Sequence, residues 1–133
     1  MAEVPPILVV EDEALIRMDL VESLRNGGFT VEECSTGPAA IAKIDASADL
    51  QGLITDIRLG NGADGWQVAH HARRKFPNIA VVYVTGDSAA DWVAEGVPNS
   101  LILQKPYAEA QLMNAIASLL NEAISQRPPG SSD

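Results

Sequence analysis

The chain has 133 residues, 47% of them hydrophobic, with 9 basic and 18 acidic side chains and a net charge of −9. That length fits one compact domain able to bury a core without disulfide or metal staples. The acidic balance disfavours binding to a phosphate backbone. No apolar run approaches the roughly 20 residues of a membrane span. A single cysteine, Cys34, cannot close an internal disulfide, and Met1–Pro6 lacks the basic start of a secretion signal. The expectation is a protein of the reducing cytoplasm, with neither nucleic acid nor membrane as partner.

Short β-branched runs alternate with helical patterns along the chain, which predicts a parallel α/β sheet. Ile7-Leu8-Val9-Val10 is continuously apolar and of strand length, as suits a strand buried on both faces. Ile16, Leu20 and Leu24 then recur at helical spacing, joined by Leu15, Met18 and Val21, until Asn26-Gly27-Gly28 stops the helix. Phe29–Cys34 reads as a second, more polar strand, followed by a helix with Pro38 in its first turn and Ala40, Ile41 and Ile44 facing inward. Leu53-Ile54-Thr55 is a third strand ending at Asp56, and a Gly-rich loop leads to Asp64, whose spacing to Gln67 is that of a capping box. The helix it opens stops at Phe76-Pro77, and Ile79–Val84 is the fourth strand. A short helix from about Ser88 to Glu95 ends at Gly96, Leu101-Ile102-Leu103 is the fifth strand, and the last helix carries Leu112, Ile116, Leu119 and Leu120 on one side. Five strands alternating with five helices predict a doubly wound parallel sheet over residues 1–126, with the Pro/Gly-rich segment 127–133 a disordered tail.

The polar residues that interrupt this pattern fall just after the apolar runs. Glu11 and Asp12 follow the first, Asp56 the third, Thr85 the fourth and Lys105 the fifth. In a parallel sheet these positions are carboxyl ends of strands, the edge at which open α/β sheets bind ligands. With strand order 2-1-3-4-5 the first and third strands are neighbours, so Glu11, Asp12 and Asp56 converge. Three such carboxylates repel one another unless a cation lies among them, and hard oxygen donors suit Mg²⁺ (or Mn²⁺). A lysine and a hydroxyl facing such a metal form a clamp for phosphoryl oxygens, and an Asp can itself be the nucleophile. The chemistry this points to is reversible, metal-assisted phosphorylation of one carboxylate, with Asp56 the acceptor. Each residue has a plainer reading: a lone Asp56 would end a strand in a turn, Lys105 would be solvated, and Thr85 before Gly86 would be an ordinary turn residue. Their joint placement argues against the plainer readings.

Val9-Val10-Glu11-Asp12-Glu13, Thr55-Asp56-Ile57-Arg58-Leu59, Val84-Thr85-Gly86 and Gln104-Lys105-Pro106-Tyr107 resemble the motifs of bacterial two-component response-regulator receiver domains, in order and spacing over about residues 5–124. The resemblance implies a flavodoxin-like fold and a phosphoacceptor whose only catalysis is self-phosphorylation and self-dephosphorylation. Asp56 would take phosphate from a sensor histidine kinase or histidine phosphotransfer protein. Asp12, Asp56 and the backbone carbonyl of Arg58 would ligate the metal, with Glu11 acting through a water. Lys105 would contact a phosphoryl oxygen and precede a cis peptide bond to Pro106, while Thr85 would be the switch hydroxyl and Gly86 would leave room beside the phosphoryl group. Output would be a downstream protein target, a relay or a homodimer.

Two departures stand out. Receiver domains usually carry Tyr or Phe three residues before the lysine as a rotamer switch; here that residue is Ile102, which cannot swing in the same way. Gly60 stands where a proline is common, and Asp64-Gly65 arrives one residue late, as in a subgroup of stand-alone receivers. Arg58 and Asp87 each lie two residues after a site residue, so they are expected to pair across the pocket mouth and restrict the attacking water. Two alternatives remain open: an interaction module that has lost phosphorylation, and an Asp-nucleophile phosphatase, although Arg58 occupies the place where such hydrolases carry a second acid. Glu13 is expected to begin the first helix, His70 and His71 to lie on a solvated face, and Cys34 to be a small packed residue. Trp66 and Trp92 fit core and surface equally.

Overall fold

The computed structural model describes residues 4–87 and 90–125. In chain order the elements are β1 (Ile7–Val10), α1 (Ala14–Asn26), β2 (Val31–Cys34), α2 (Gly37–Ala46), β3 (Gly52–Asp56), α3 (Gly65–Lys75), β4 (Ala80–Thr85), α4 (Trp92–Glu95), β5 (Ser100–Gln104) and α5 (Glu109–Ser125). The five strands form one sheet in the order β2-β1-β3-β4-β5, every pair parallel. This is the doubly wound, flavodoxin-like arrangement that the alternation predicts.

Strand side chains alternate between faces, so the sheet builds two cores. Ile7, Val9, Ile54, Val82 and Val84 meet α1 and α5 through Leu20, Leu24, Leu112 and Ile116. Leu8, Val10, Leu53, Val81 and Tyr83 meet α2 and α3 through Ala40, Ile44, Val68 and Ala72. The central strands β1, β3 and β4 are buried along their whole length, whereas β2 and β5 are partly exposed edges. Continuous apolar runs therefore mark the three inner strands.

Several boundaries and faces differ from the sequence expectation. Strand β2 begins at Val31, because the Phe29 N–H is used to close α1 on the carbonyl of Leu24 (3.0 Å). Leu15 and Met18 are 81% and 62% exposed: they lie on the far side of α1 from Leu20, Val21 and Leu24. Helix α4 is a single turn, Trp92–Glu95; Ser88, where it was expected to begin, lies outside the described residues, as does the 127–133 tail. The expected solvated face of α3 is instead a tertiary contact. His71 donates through Nε2 to Asp45 at 2.7 Å and His70 to the Glu95 carbonyl at 2.8 Å. Lys75 donates to the carbonyls of Ile44, Asp45 and Ser47 at 2.7–3.0 Å. The end of α2 leaves carbonyls without helical partners, and an ammonium with several donors satisfies them. The Asp64–Gln67 capping box is present in both directions, each bond 2.9 Å. Both tryptophans are half-buried on the α2/α3 side of the sheet, as is Cys34.

Candidate functional site

The order β2-β1-β3 puts the ends of β1 and β3 side by side, with Val10 opposite Thr55. Glu11 and Asp56 leave those ends on the same edge, and oxygen atoms of Glu11, Asp12 and Asp56 lie within 4.8 Å of one another. Lys105 arrives from the end of β5 and donates through Nζ to Glu11 Oε1 and to Asp56 Oδ2, both at 3.0 Å. The peptide bond from Lys105 to Pro106 is cis.

Glu11 is fully buried and every polar group on it is engaged. Its N–H donates to the Cys34 carbonyl (3.2 Å), its Oε2 accepts the Glu13 N–H (3.1 Å), and its own carbonyl accepts Arg17 Nη1–H (2.8 Å). Burial, reinforced by the charge of Asp56, pushes its carboxyl up to about 6, although the Glu13 and Lys105 hydrogen bonds pull the other way. For Lys105 burial acts to lower the pKa, but hydrogen bonds and charge from Asp56 and Glu11 outweigh it and the net direction is up. The site thus holds three carboxylates around one ammonium. An all-oxygen donor set with uncompensated negative charge fits a hard divalent cation such as Mg²⁺ or Mn²⁺.

Asp56 is 8% exposed and its Oδ1 accepts the backbone N–H of Arg58 at 3.2 Å. That bond turns the chain over the carboxylate, and the Gly65 N–H then returns to the Ile57 carbonyl at 2.8 Å. The approach is close enough that a Cβ on Gly65 would collide with the carbonyl oxygen of Asp56. Thr85 is buried at the end of β4, its Oγ1 accepting the Asp87 N–H (3.1 Å) and its carbonyl the Lys105 N–H (2.7 Å). At the rim, Arg58 Nε donates to Asp87 Oδ2 at 2.8 Å, with both side chains largely exposed. Glu11, Asp12, Asp56 and Lys105 are therefore together, with Thr85, Arg58 and Asp87 beside them. Ile102 lies apart, packed with the α2/α3 core beside Tyr83.

Residues 7–117 match the model of the response regulator receiver domain family. The chain belongs to that family. A solved receiver protein from Sinorhizobium medicae WSM419 superposes with a TM-score of 0.88 at 42% identity, covering 91% of this chain and 98% of that one. The receiver protein CpdR of Brucella abortus is 27% identical over 116 residues, 86% of this chain and 95% of CpdR. The sensor kinase CckA of the same organism is 28% identical over 87% of this chain, which corresponds to 12% of CckA. The chain spans less than half the length of several curated relatives, CckA among them. No helix among the described residues of this receiver domain is long and apolar enough to cross a membrane.

Two residues near the pocket had no role in the sequence reading. Arg17 ties the Glu11 carbonyl to the Glu33 carboxylate, which it reaches through Nε at 3.1 Å. A basic residue in the second turn of a helix that follows an acidic pair was the available signal. Tyr107 is half-buried beside the charged cluster, and burial pushes its phenol up to about 12, so it remains a neutral hydroxyl. Nothing in its spacing marks that environment.

Proposed function

We propose that this receiver domain is a phosphoacceptor switch in which Asp56 takes a phosphoryl group from a histidine kinase or a histidine phosphotransfer protein. The observation that carries this reading is the Lys105 ammonium bridging Glu11 and Asp56 at 3.0 Å to each, with Asp12 in the same cluster. One Asp56 carboxylate oxygen attacks phosphorus, the P–N bond of the donor breaks, and the imidazole leaves with the electron pair and recovers a proton. The product is an aspartyl phosphate. Asp12, Asp56, the Arg58 carbonyl and, through a water, Glu11 would hold Mg²⁺ or Mn²⁺, which would supply positive charge for the phosphoryl oxygens. Lys105 is placed to exchange its bond to Asp56 for one to a phosphoryl oxygen. The Thr85 hydroxyl is placed to rotate from the Asp87 N–H toward the same group, and the new dianion biases a protein-binding surface.

The Arg58–Asp87 pair spans the rim and restricts the water that would hydrolyse the acyl phosphate. Arg58 stands two residues after the nucleophile, where an Asp-nucleophile phosphatase needs a second acid, and its guanidinium is committed to Asp87. This favours a stored phosphate over turnover. The test is intact-protein mass after incubation with acetyl phosphate, with and without Mg²⁺. A single base-labile adduct that needs Mg²⁺ and is absent from Asp56→Asn is the expected result. Mg²⁺ binding without an adduct would leave a phosphorylation-independent interaction module. Many turnovers of a generic phosphate ester would instead indicate a phosphatase.

A further inference from the structure

The turn from β1 into α1, which carries Asp12, is fastened on both sides of that residue. The Glu11 N–H donates to the Cys34 carbonyl of β2 at 3.2 Å, and the Glu13 N–H donates to Glu11 Oε2 at 3.1 Å. Arg17 adds two bonds from α1. Its backbone N–H meets the Glu13 carbonyl at 2.9 Å, and its guanidinium Nη1 donates to the Glu11 carbonyl at 2.8 Å. The same guanidinium extends to β2, where Nε donates to Glu33 Oε1 at 3.1 Å. Glu33 lies opposite Val9 in the β1–β2 register, two residues before Glu11.

A trans peptide unit is planar, with its carbonyl and N–H pointing in opposite directions. Holding the Glu11 carbonyl on Arg17 therefore fixes the plane that continues into Asp12, and with it the direction in which the Asp12 side chain leaves the backbone. Along that direction a carboxylate oxygen of Asp12 comes within 4.8 Å of oxygens of Glu11 and Asp56. Asp12 itself is exposed, so burial does not hold it there. An arginine near a helix N-terminus works against the helix dipole, and its charge would repel a divalent ion. Glu33 answers both effects, because its carboxylate sits on the guanidinium and offsets the charge. The N–H fork thus reaches the turn as one half of an ion pair.

Building on the divalent-cation site of the phosphoacceptor reading, we propose that Arg17 is a positioning residue for that ion. It orients the Glu11–Asp12 peptide so that Asp12 faces Asp56, while Glu33 offsets its charge. It acts through Asp12 and Glu11 and not by contact with the phosphoryl group.

Mn²⁺ titration well below the melting transition, with free ion read from its electron paramagnetic resonance signal, tests this. Arg17→Met keeps an unbranched stem on the helix and removes the guanidinium. Coulomb's law alone predicts tighter binding in this variant, because a positive charge leaves and Glu33 stays. Loss of positioning predicts the opposite, a dissociation constant roughly tenfold higher, the usual effect of removing a group that orients a metal ligand. Circular dichroism at the same temperature checks that the variant is folded, so a general loss of stability does not move the constant. Asp12→Ala should lose most of the binding; undiminished binding there would place the ion elsewhere and defeat the proposal. Saturating Mg²⁺ should return adduct formation in Arg17→Met close to wild type, and a rate that stays low would overturn a role confined to the ion. Equal or tighter Mn²⁺ binding in Arg17→Met refutes the positioning role. Should that variant not fold, Arg17→Lys retains the charge without the planar fork that spans Glu11 and Glu33, and weaker binding is again required. Wild type that binds no Mn²⁺ would defeat the cation site and the proposal together. Wild type that binds the ion and forms no adduct would defeat the phosphoacceptor reading alone.

Discussion

Among the described residues Lys105 is the one ammonium hydrogen-bonded to both Glu11 and Asp56, and removing one partner of a buried ion pair leaves an uncompensated charge. Lys105→Ala is expected to lower the melting temperature and to reduce adduct formation from acetyl phosphate by at least about tenfold, because an oxyanion-stabilising cation of this kind contributes at least that much. Added Mg²⁺ should recover part of the stability and little of the rate, since the metal relieves repulsion without replacing the amine. Thermal melts and intact mass with and without the ion separate the two effects. Cys34 tests the opposite edge of β1. Burial pushes its thiol up to about 11, against the pull of Lys43 and Arg17. A raised pKa lowers the thiolate fraction at every pH below it, so alkylation at pH 8 should be slow in the native protein and fast in denaturant. Rapid native labelling would show that this edge opens.

At the scale of elements, the loop after Asp56 is tied at both ends, by the Arg58 N–H on the carboxylate and by the capping box that starts α3. Asp64→Ala should cost about 1 kcal/mol of stability in urea titration, the usual value of an N-cap. Gly65→Ala is expected to do more damage, because its methyl group would meet the Asp56 carbonyl and displace that residue. A Gly65→Ala protein with wild-type adduct formation would show that this close approach is not needed. Arg58→Ala leaves the backbone N–H in place and removes only the ion pair at the rim. Its expected effect is a shorter-lived aspartyl phosphate, read as faster loss of the adduct mass after the donor is removed, with adduct formation preserved.

Taken as a whole, the molecule carries a net charge of −9 and concentrates three carboxylates at one edge of its sheet. A cation that binds only the folded arrangement stabilises it by mass action, so the melting temperature should rise with Mg²⁺ concentration. The rise should be much smaller in Asp12→Ala, which removes one donor from the exposed side of the cluster. Monovalent salt at matched ionic strength should reproduce only the screening part of the effect.

What the sequence determined by itself follows from local rules. Continuous apolar runs marked the inner strands, strand-end polar residues marked the edge of the sheet, and capping chemistry marked the start of α3; each depends on neighbours within a few positions. With the parallel topology, this was enough to bring Glu11, Asp12, Asp56, Thr85 and Lys105 to one side. Tertiary structure decided the rest. A period of 3.6 residues does not say which apolar side chains of α1 find a partner, so Leu15 and Met18 were expected inside and are exposed. The basic residues of α3 looked solvated because their acceptors, the carbonyls closing α2 and α4, lie 25 or more residues away in sequence. Arg73 owes its role to such distant backbone groups, whereas Tyr83 meets the N–H of Val97 and Arg17 the carbonyl of Glu11, nearer in sequence but brought to them only by the fold. A backbone carbonyl or N–H is present at every position, and only the fold determines which of them is left for a side chain to satisfy.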